Sequence, residues 1–413
     1  MDIAQVFARP HDMSVGDAAR YPEGFAAEMA LVGYSPLTIG GYLDSVIHFG
    51  GWLQARGLSL TDIDEKIVKA FGTHRCKCPG RRSSPRVSRA YFSRVERFVR
   101  YLGQQGVIRS TVNSVPEAPS SLIAFREWLL QHRGLAPVTV DRHEHLLKQM
   151  LPALGADTGQ YTAATVRAAV LGQIRGRRPA YAKTFVGALR IYLRFLATSG
   201  VCQAGLDHAL PTVAEWKLSS PPRYLDSGQA ARLCDSCRRD GPLGSRDRAI
   251  MLLLLQLGLR AGDIASMRPA DIDWQQATLL VRGKGRRDVR LPLPQDAGDA
   301  VLEYLEHERP RVTIDRIFLC ANAPFRALRS GGAVSDIVRG ALCTAGVEDP
   351  PTRGANLIRH TTATTMLRAG ATLDEIGTIL RHKSPDTTAH YAKVDVATLQ
   401  QIAQPWPVFK EGK

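Results

Sequence analysis

Apolar residues recur at helical spacing over most of the chain, and two stretches carry the same pattern. Phe98-Val-Arg-Tyr-Leu102 stands against Tyr192-Leu-Arg-Phe-Leu196, and each predicted helix closes on Gly-Val, at Gly106-Val107 and Gly200-Val201. Upstream, Gly33-Tyr-Ser-Pro-Leu-Thr-Ile39 matches Gly134-Leu-Ala-Pro-Val-Thr-Val140. In both, proline falls at the first helical position, where its missing N–H costs nothing. Each copy also carries a basic turn, Arg81-Arg82 in the first and Arg175-Gly-Arg177-Arg178 in the second. Four features in the same order predict two small helical modules of one type, over about 20–110 and 120–203. A Ser/Pro-rich joint at 110–121 separates them.

Past a Pro-rich stretch at 210–222 the pattern changes. Helices are predicted from Ala230 to Arg239 and from Ser245 to Leu257, the second buried because its leucine run is nearly unbroken. Thr278–Arg282 and Asp288–Leu293 then read as strands around Gly283-Lys284-Gly285, which makes a hairpin. Helical spacing returns from Asp296 to Glu308 and from Ala333 onward, with a helix start at Ser384-Pro385-Asp386 and a short terminal helix over 394–403. The predicted fold is mainly α with one small antiparallel sheet, in three parts: 1–113, 114–213 and 214–413.

Composition narrows the function. The 413 residues are 44% apolar and 23% charged, enough to bury real cores. Lys and Arg number 54 against 39 Asp and Glu, a net charge of +15. That excess disfavours an acidic solvating protein and points to a polyanionic partner, nucleic acid before membrane. Seven cysteines, an odd number in a long chain, argue against a secreted disulfide framework. The opening residues lack the apolar core of a signal peptide, and the longest apolar run, Ala249–Leu255, is too short to span a bilayer. The expectation is a reduced, intracellular protein that meets nucleic acid.

The chemistry concentrates in 258–391: Gly258-Leu-Arg260-Ala-Gly-Asp263, then Lys284 on the hairpin, Asn356-Leu-Ile-Arg359-His360, Leu380-Arg-His382, and Tyr391 nine residues after His382. Order and spacing resemble the tyrosine recombinase, or phage integrase, family across about 225–400. The two helical modules look like that family's arm-binding and core-binding (SAM-like) domains. By that resemblance Arg260 is the first catalytic arginine and Asp263 the acid beside it. Lys284 is the hairpin lysine, Arg359 the second arginine, His382 the residue of the His/Trp position, and Tyr391 the nucleophile. The chemistry asks for these types. A phenol attacks a DNA phosphate, and planar guanidiniums clamp the non-bridging oxygens bidentately as charge develops there. Lys284 protonates the leaving 5′ oxygen. Fixed cations carry the charge, so no cofactor and no metal is implied.

The resemblance further implies double-stranded DNA as partner, clamped between the helical modules and the catalytic domain. It implies a homotetramer on two paired sites, alone or with other recombinase subunits, working in a bacterial cytoplasm on integration, excision or transposition of a mobile element. Arg81, Arg82, Arg175, Arg177 and Arg178 are the expected phosphate contacts. One departure stands out: the family usually carries His three residues before the second arginine, and here that residue is Asn356. Asn hydrogen-bonds but carries no proton. A slower enzyme, a catalytically silent DNA-binding subunit and a type IB topoisomerase-like activity all stay open. His360, next to Arg359 on a helix, is expected to point elsewhere. His74, Cys76 and Cys78, like Cys234 and Cys237, supply too few ligands for a zinc site.

Overall fold

Helix starts in this chain are set by small polar caps and by proline. A computed structural model describes residues 21–394 except 76–87, 109–118, 156, 215–221, 239, 242 and 283–287. Its contacts divide into two compact units, Met1–Leu102 with Ser220–Lys413, and Gly103–Ser219.

In the first unit, helices α1 (Pro22–Leu31), α2 (Pro36–Gln54), α3 (Glu65–Thr73) and α4 (Arg89–Gln104) bury an aromatic core of Phe25, Phe49, Phe71 and Phe98. Phe25 meets Phe98, and Phe49 meets Phe71, edge to face, the arrangement the ring quadrupole favours. Ser35 caps α2, its hydroxyl accepting from the Thr38 N–H at 3.3 Å, and Pro36 opens the helix. The second unit repeats the order: α5 (Ser120–Gln131), α6 (Pro137–Leu154), α7 (Ala163–Ile174) and α8 (Pro179–Thr198). A short 3₁₀ turn precedes the third helix in both sets, at Leu60–Asp62 and Thr158–Gln160. Phe125, Leu147, Met150, Val166, Phe185 and Tyr192 form its core.

The remainder of the first unit is built on one apolar helix. α9 (Ser227–Ser236) starts at a capping box in which Asp226 accepts from the Gln229 N–H at 2.8 Å. Apolar spacing alone starts this helix at Ala230; the cap at Asp226 draws it three residues earlier. α10 (Ser245–Leu257) is the central element, with Ile250, Met251, Leu253 and Leu254 fully buried. It is followed by α11 (Ala261–Ser266), and by strands β1 (Ile272–Asp273), β2 (Thr278–Arg282) and β3 (Asp288–Pro292) in an antiparallel sheet ordered β1-β2-β3. The hairpin pairs Leu279 with Leu291 and Val281 with Val289, which turns Leu279, Val281 and Leu291 into the core.

Helices α12 (Gln295–Glu303), α13 (Gly331–Thr344) and α14 (Ala355–Arg368) pack on α10. Two short helices, α15 (Leu373–Ile379) and α16 (Pro385–Ala389), lead into a 3₁₀ turn at His390–Val394. The tail at 395–413 lies outside the described residues. Among the described residues no helix is long and apolar enough to cross a membrane.

Candidate active site

The site forms where three helix ends meet. α10 stops at Gly258, in the left-handed region at φ +55°, and a Cβ there would stand 2.5 Å from Leu380 Cδ2. Both facts require glycine. The chain then turns through buried Leu259 and presents Arg260 at the N-cap of α11. Asp263, at the third helical position, accepts the Arg260 N–H at 3.0 Å. The same carboxylate oxygen pairs with the Arg381 guanidinium. Arg260 Nη2 in turn donates to the Arg381 carbonyl at 2.8 Å.

Arg359 comes from the second turn of α14 and is 7% exposed. Its guanidinium donates to the carbonyls of Gly258 and Leu380, the first beyond α10 and the second beyond α15. Helix C-termini carry partial negative charge and unsatisfied carbonyls, so a guanidinium is the natural cross-link between them. One turn further along α14, Thr362 Oγ1 donates to Leu255 O at 2.9 Å and fixes α14 to α10.

Arg381 itself sits at φ +54°, a conformation rare for a long side chain, and that side chain is 7% exposed. Its Nε and Nη1 are buried and make no hydrogen bond among the described residues. After it, His382 Nδ1 lies 2.8 Å from Thr388 Oγ1, and its ring stacks on Tyr391 with centroids 6.2 Å apart and planes 5° off parallel. Tyr391 is 2% exposed and packs with Ala363, Ile376 and Leu380. Its hydroxyl lies 2.8 Å from His360 Nδ1.

The electrostatics follow from three arginines and one carboxylate in a buried place. Burial, then Arg260, lowers the Arg359 guanidinium to about 10. Burial, then Arg381, lowers that of Arg260. Burial, then Arg359 and Arg260, brings His382 down to about 4, so its imidazole is neutral at pH 7. His360 is lowered by burial, then by His390 and Arg359. Burial raises the Tyr391 phenol, and Arg359 opposes that rise. The cluster therefore holds uncompensated positive charge beside a phenol, and an anion entering it would be stabilised.

Arg260, Asp263, Arg359, His382 and Tyr391 are thus brought together. Asn356 lies exposed in the first turn of α14. Arg175, Arg177 and Arg178 are exposed in the turn between α7 and α8, in the second unit, where Gly176 takes φ +71°. Lys284, Arg81, Arg82, Cys76 and Cys78 lie outside the described residues. His74 Nδ1 contacts the Phe71 carbonyl at 2.5 Å, Cys234 is exposed, and burial pushes the Cys237 thiol up to about 11. Among the described residues no three His, Cys, Asp or Glu are grouped to hold a metal ion.

Two residues of the site escape the sequence pattern. His360 does not point away from the site; the 3₁₀ turn packs against α14 on the side where residue 360 emerges. Arg381 carries no sequence signal beyond its place between Leu380 and His382.

The sequence profile of the Phage integrase family matches residues 223–398. The chain is 34% identical over 404 residues to the protein named integrase/recombinase y4rA of Sinorhizobium fredii (strain NBRC 101917 / NGR234), an alignment covering 95% of each chain. In three dimensions it is similar to XerH site-specific recombinase bound to palindromic difH substrate in a post-cleavage complex. The TM-score there is 0.53 at 18% identity, over 74% of this chain and 93% of that one. It is also similar to lambda integrase in a tetramer bound to a Holliday junction, with TM-score 0.51 at 17% identity, over 77% of this chain and 91% of that one.

Proposed function

The chain belongs to the phage integrase family of tyrosine recombinases, and from that premise we propose that it cuts and rejoins DNA strands at specific sites through a 3′-phosphotyrosyl intermediate on Tyr391. The observation that carries the reading is the buried Arg359 guanidinium, which acts on the Tyr391 phenol and on Arg260 beside it, with Arg260 half-buried at the N-cap of α11. In the reaction, Tyr391 Oη attacks the scissile phosphorus. The Oη–P bond forms, the P–O5′ bond breaks, and the 5′ oxygen leaves with a proton from Lys284. Arg260 and Arg359 hold the non-bridging oxygens, where charge accumulates. Removing one such donor typically costs about 3–4 kcal/mol, a loss of roughly 10²–10³ in rate. His382, uncharged at pH 7, orients the phenol through its stacked ring. The bond energy stays in the phosphotyrosine, and a second 5′ hydroxyl reverses the step on another strand without metal or nucleotide.

Tyr391 is 2% exposed, so DNA binding must uncover its hydroxyl on the side away from His360. Four protomers on two paired sites would exchange strands in this way, in keeping with the tetramer formed by lambda integrase on a Holliday junction. We assign the chain three parts, 1–113, 114–213 and 214–413, the first two gripping DNA; the four-helix order they share supports a duplicated module. Movement of a mobile element is the use we assign.

The test is a suicide substrate, a nicked duplex carrying a site chosen by selection for specific binding to the full chain. A protein–DNA adduct on a denaturing gel with the wild type in EDTA, and none with Tyr391→Phe, is the expected result. Specific binding with no adduct would instead establish a silent DNA-binding subunit, the reading that Asn356 favours. Relaxation of supercoils on DNA lacking the site would establish a topoisomerase.

A further inference from the structure

We propose that His360 is a catalytic residue, the general base that takes the proton of the Tyr391 hydroxyl as it attacks. The inference rests on the reading of Tyr391 as nucleophile. Its ground is geometric: Nδ1 of His360 is 2.8 Å from Tyr391 Oη, hydrogen-bond distance to the proton that must leave.

The other candidates are excluded by their chemistry or their placement. His382 spends Nδ1 on Thr388, and its ring lies parallel to the tyrosine ring. A nitrogen lone pair lies in the plane of its own imidazole, so stacked planes aim it alongside the phenol oxygen rather than at it. Asn356 has no proton-accepting nitrogen and is exposed at the start of α14. His390 precedes Tyr391 with ring centroids 6.1 Å apart, and among the described residues it makes no hydrogen bond to the Tyr391 hydroxyl, which His360 holds.

The surroundings of His360 suit the role. The groups that face it are Arg359 on its own helix, His390 and Tyr391 on the 3₁₀ turn, and His382 beyond the tyrosine ring. Among the described residues none is a carboxylate that would hold it as imidazolium. Burial, His390 and Arg359 all favour the neutral ring, so Nδ1 is free to accept at physiological pH. In cleavage the proton passes from Oη to Nδ1 as the Oη–P bond forms, while the 5′ oxygen takes its proton from the acid on the other side. In rejoining, the imidazolium returns that proton to Oη as the P–Oη bond breaks. The base is thus supplied from the residue after the second arginine, which explains how a chain with Asn356 keeps a proton acceptor at the nucleophile.

The test measures single-turnover adduct formation by the full chain on the nicked duplex, from pH 5 to 9, with His360→Ala and His360→Gln. A second substrate carries sulfur at the bridging 5′ position, a leaving group that needs no proton. For the wild type the rate should fall as pH drops through the lowered imidazole pKa, below about 6.5. Both variants should lose that limb and form adduct about 10²–10⁴-fold more slowly. The defect should persist on the sulfur substrate, since it lies on the nucleophile side. Unchanged site-specific DNA binding certifies the fold, and if the Ala variant fails it, the Gln variant decides.

Adduct formation by His360→Ala equal to or faster than wild type would make the contact a restraint on the tyrosine and overturn the proposal. A wild-type rate with His360→Gln would leave only a hydrogen bond and overturn it equally. No adduct from the wild type would refute the phosphotyrosyl reading itself, a failure distinct from either of these.

Discussion

Asp263 and Arg381 hold each other in a buried place, and removing the acid should be far worse than removing both. Asp263 and Arg381 are 12% and 7% exposed in their side chains. In Asp263→Ala the guanidinium of Arg381 keeps its position but loses its counter-charge, with Nε and Nη1 already unpartnered among the described residues. Breaking a buried pair from one side costs about 3–5 kcal/mol. The Arg260 N–H also loses its acceptor, a cap worth about 1 kcal/mol. The sum, about 4–6 kcal/mol, rivals the roughly 5–15 kcal/mol that holds a whole domain folded. Arg381→Gly acts differently: it gives up the pair but relieves a left-handed backbone worth about 1 kcal/mol or more. It also retains the carbonyl that receives Arg260. The double variant should therefore be at least about 2 kcal/mol more stable than Asp263→Ala alone. Urea unfolding of the full-length protein, followed by far-UV circular dichroism across the four-protein cycle, measures this coupling. If the two losses simply add, Arg381 is not a buried charge dependent on Asp263, and the account of the site's electrostatics fails.

Three further outcomes are expected. Gly258→Ala combines a positive φ with a clash against Leu380, a cost of about 2–5 kcal/mol; thermal melting should show a fall of many degrees. Changing Arg175, Arg177 and Arg178 to Ala together should weaken DNA binding and reduce the salt slope by about one for each phosphate no longer neutralised, read from affinities between about 50 and 300 mM salt. Asn356→His should speed adduct formation on the nicked duplex, since an imidazole there adds a charged or neutral donor one helical turn before Arg359; a slower variant would mean Asn356 is itself adapted to this site.

Much of the architecture is legible in the sequence because its determinants are local. Pro36 and Pro137 mark helix starts by chemistry alone, the leucine run of α10 can only be core, and the strand patterns of 278–282 and 288–292 flank an obvious turn. Arg260, Arg359, His382 and Tyr391 stand out by order and spacing. What stays hidden depends on distant partners. An arginine at φ +54° is tolerable only because Asp263, 118 residues earlier, receives its guanidinium. The reach of His360 to Tyr391 is decided by which side of α14 the 390–394 turn packs on, and no helical periodicity encodes that. β1, two residues long, is too short to show alternation and exists because β2 offers it an edge.

The carbonyls that hold Arg260 and Arg359 have a consequence for the life of the chain. Arg260 is seated by the main chain of residue 381, and Arg359 by those of 258 and 380. During synthesis Arg260 leaves the ribosome more than a hundred residues before its acceptor exists, and Tyr391 emerges later still. On the proposed function, a half-made chain has its cutting groups unassembled, and strand scission would be withheld until translation of the domain is essentially finished. Under that reading, the wiring would keep an unfinished chain from cutting the DNA beside it.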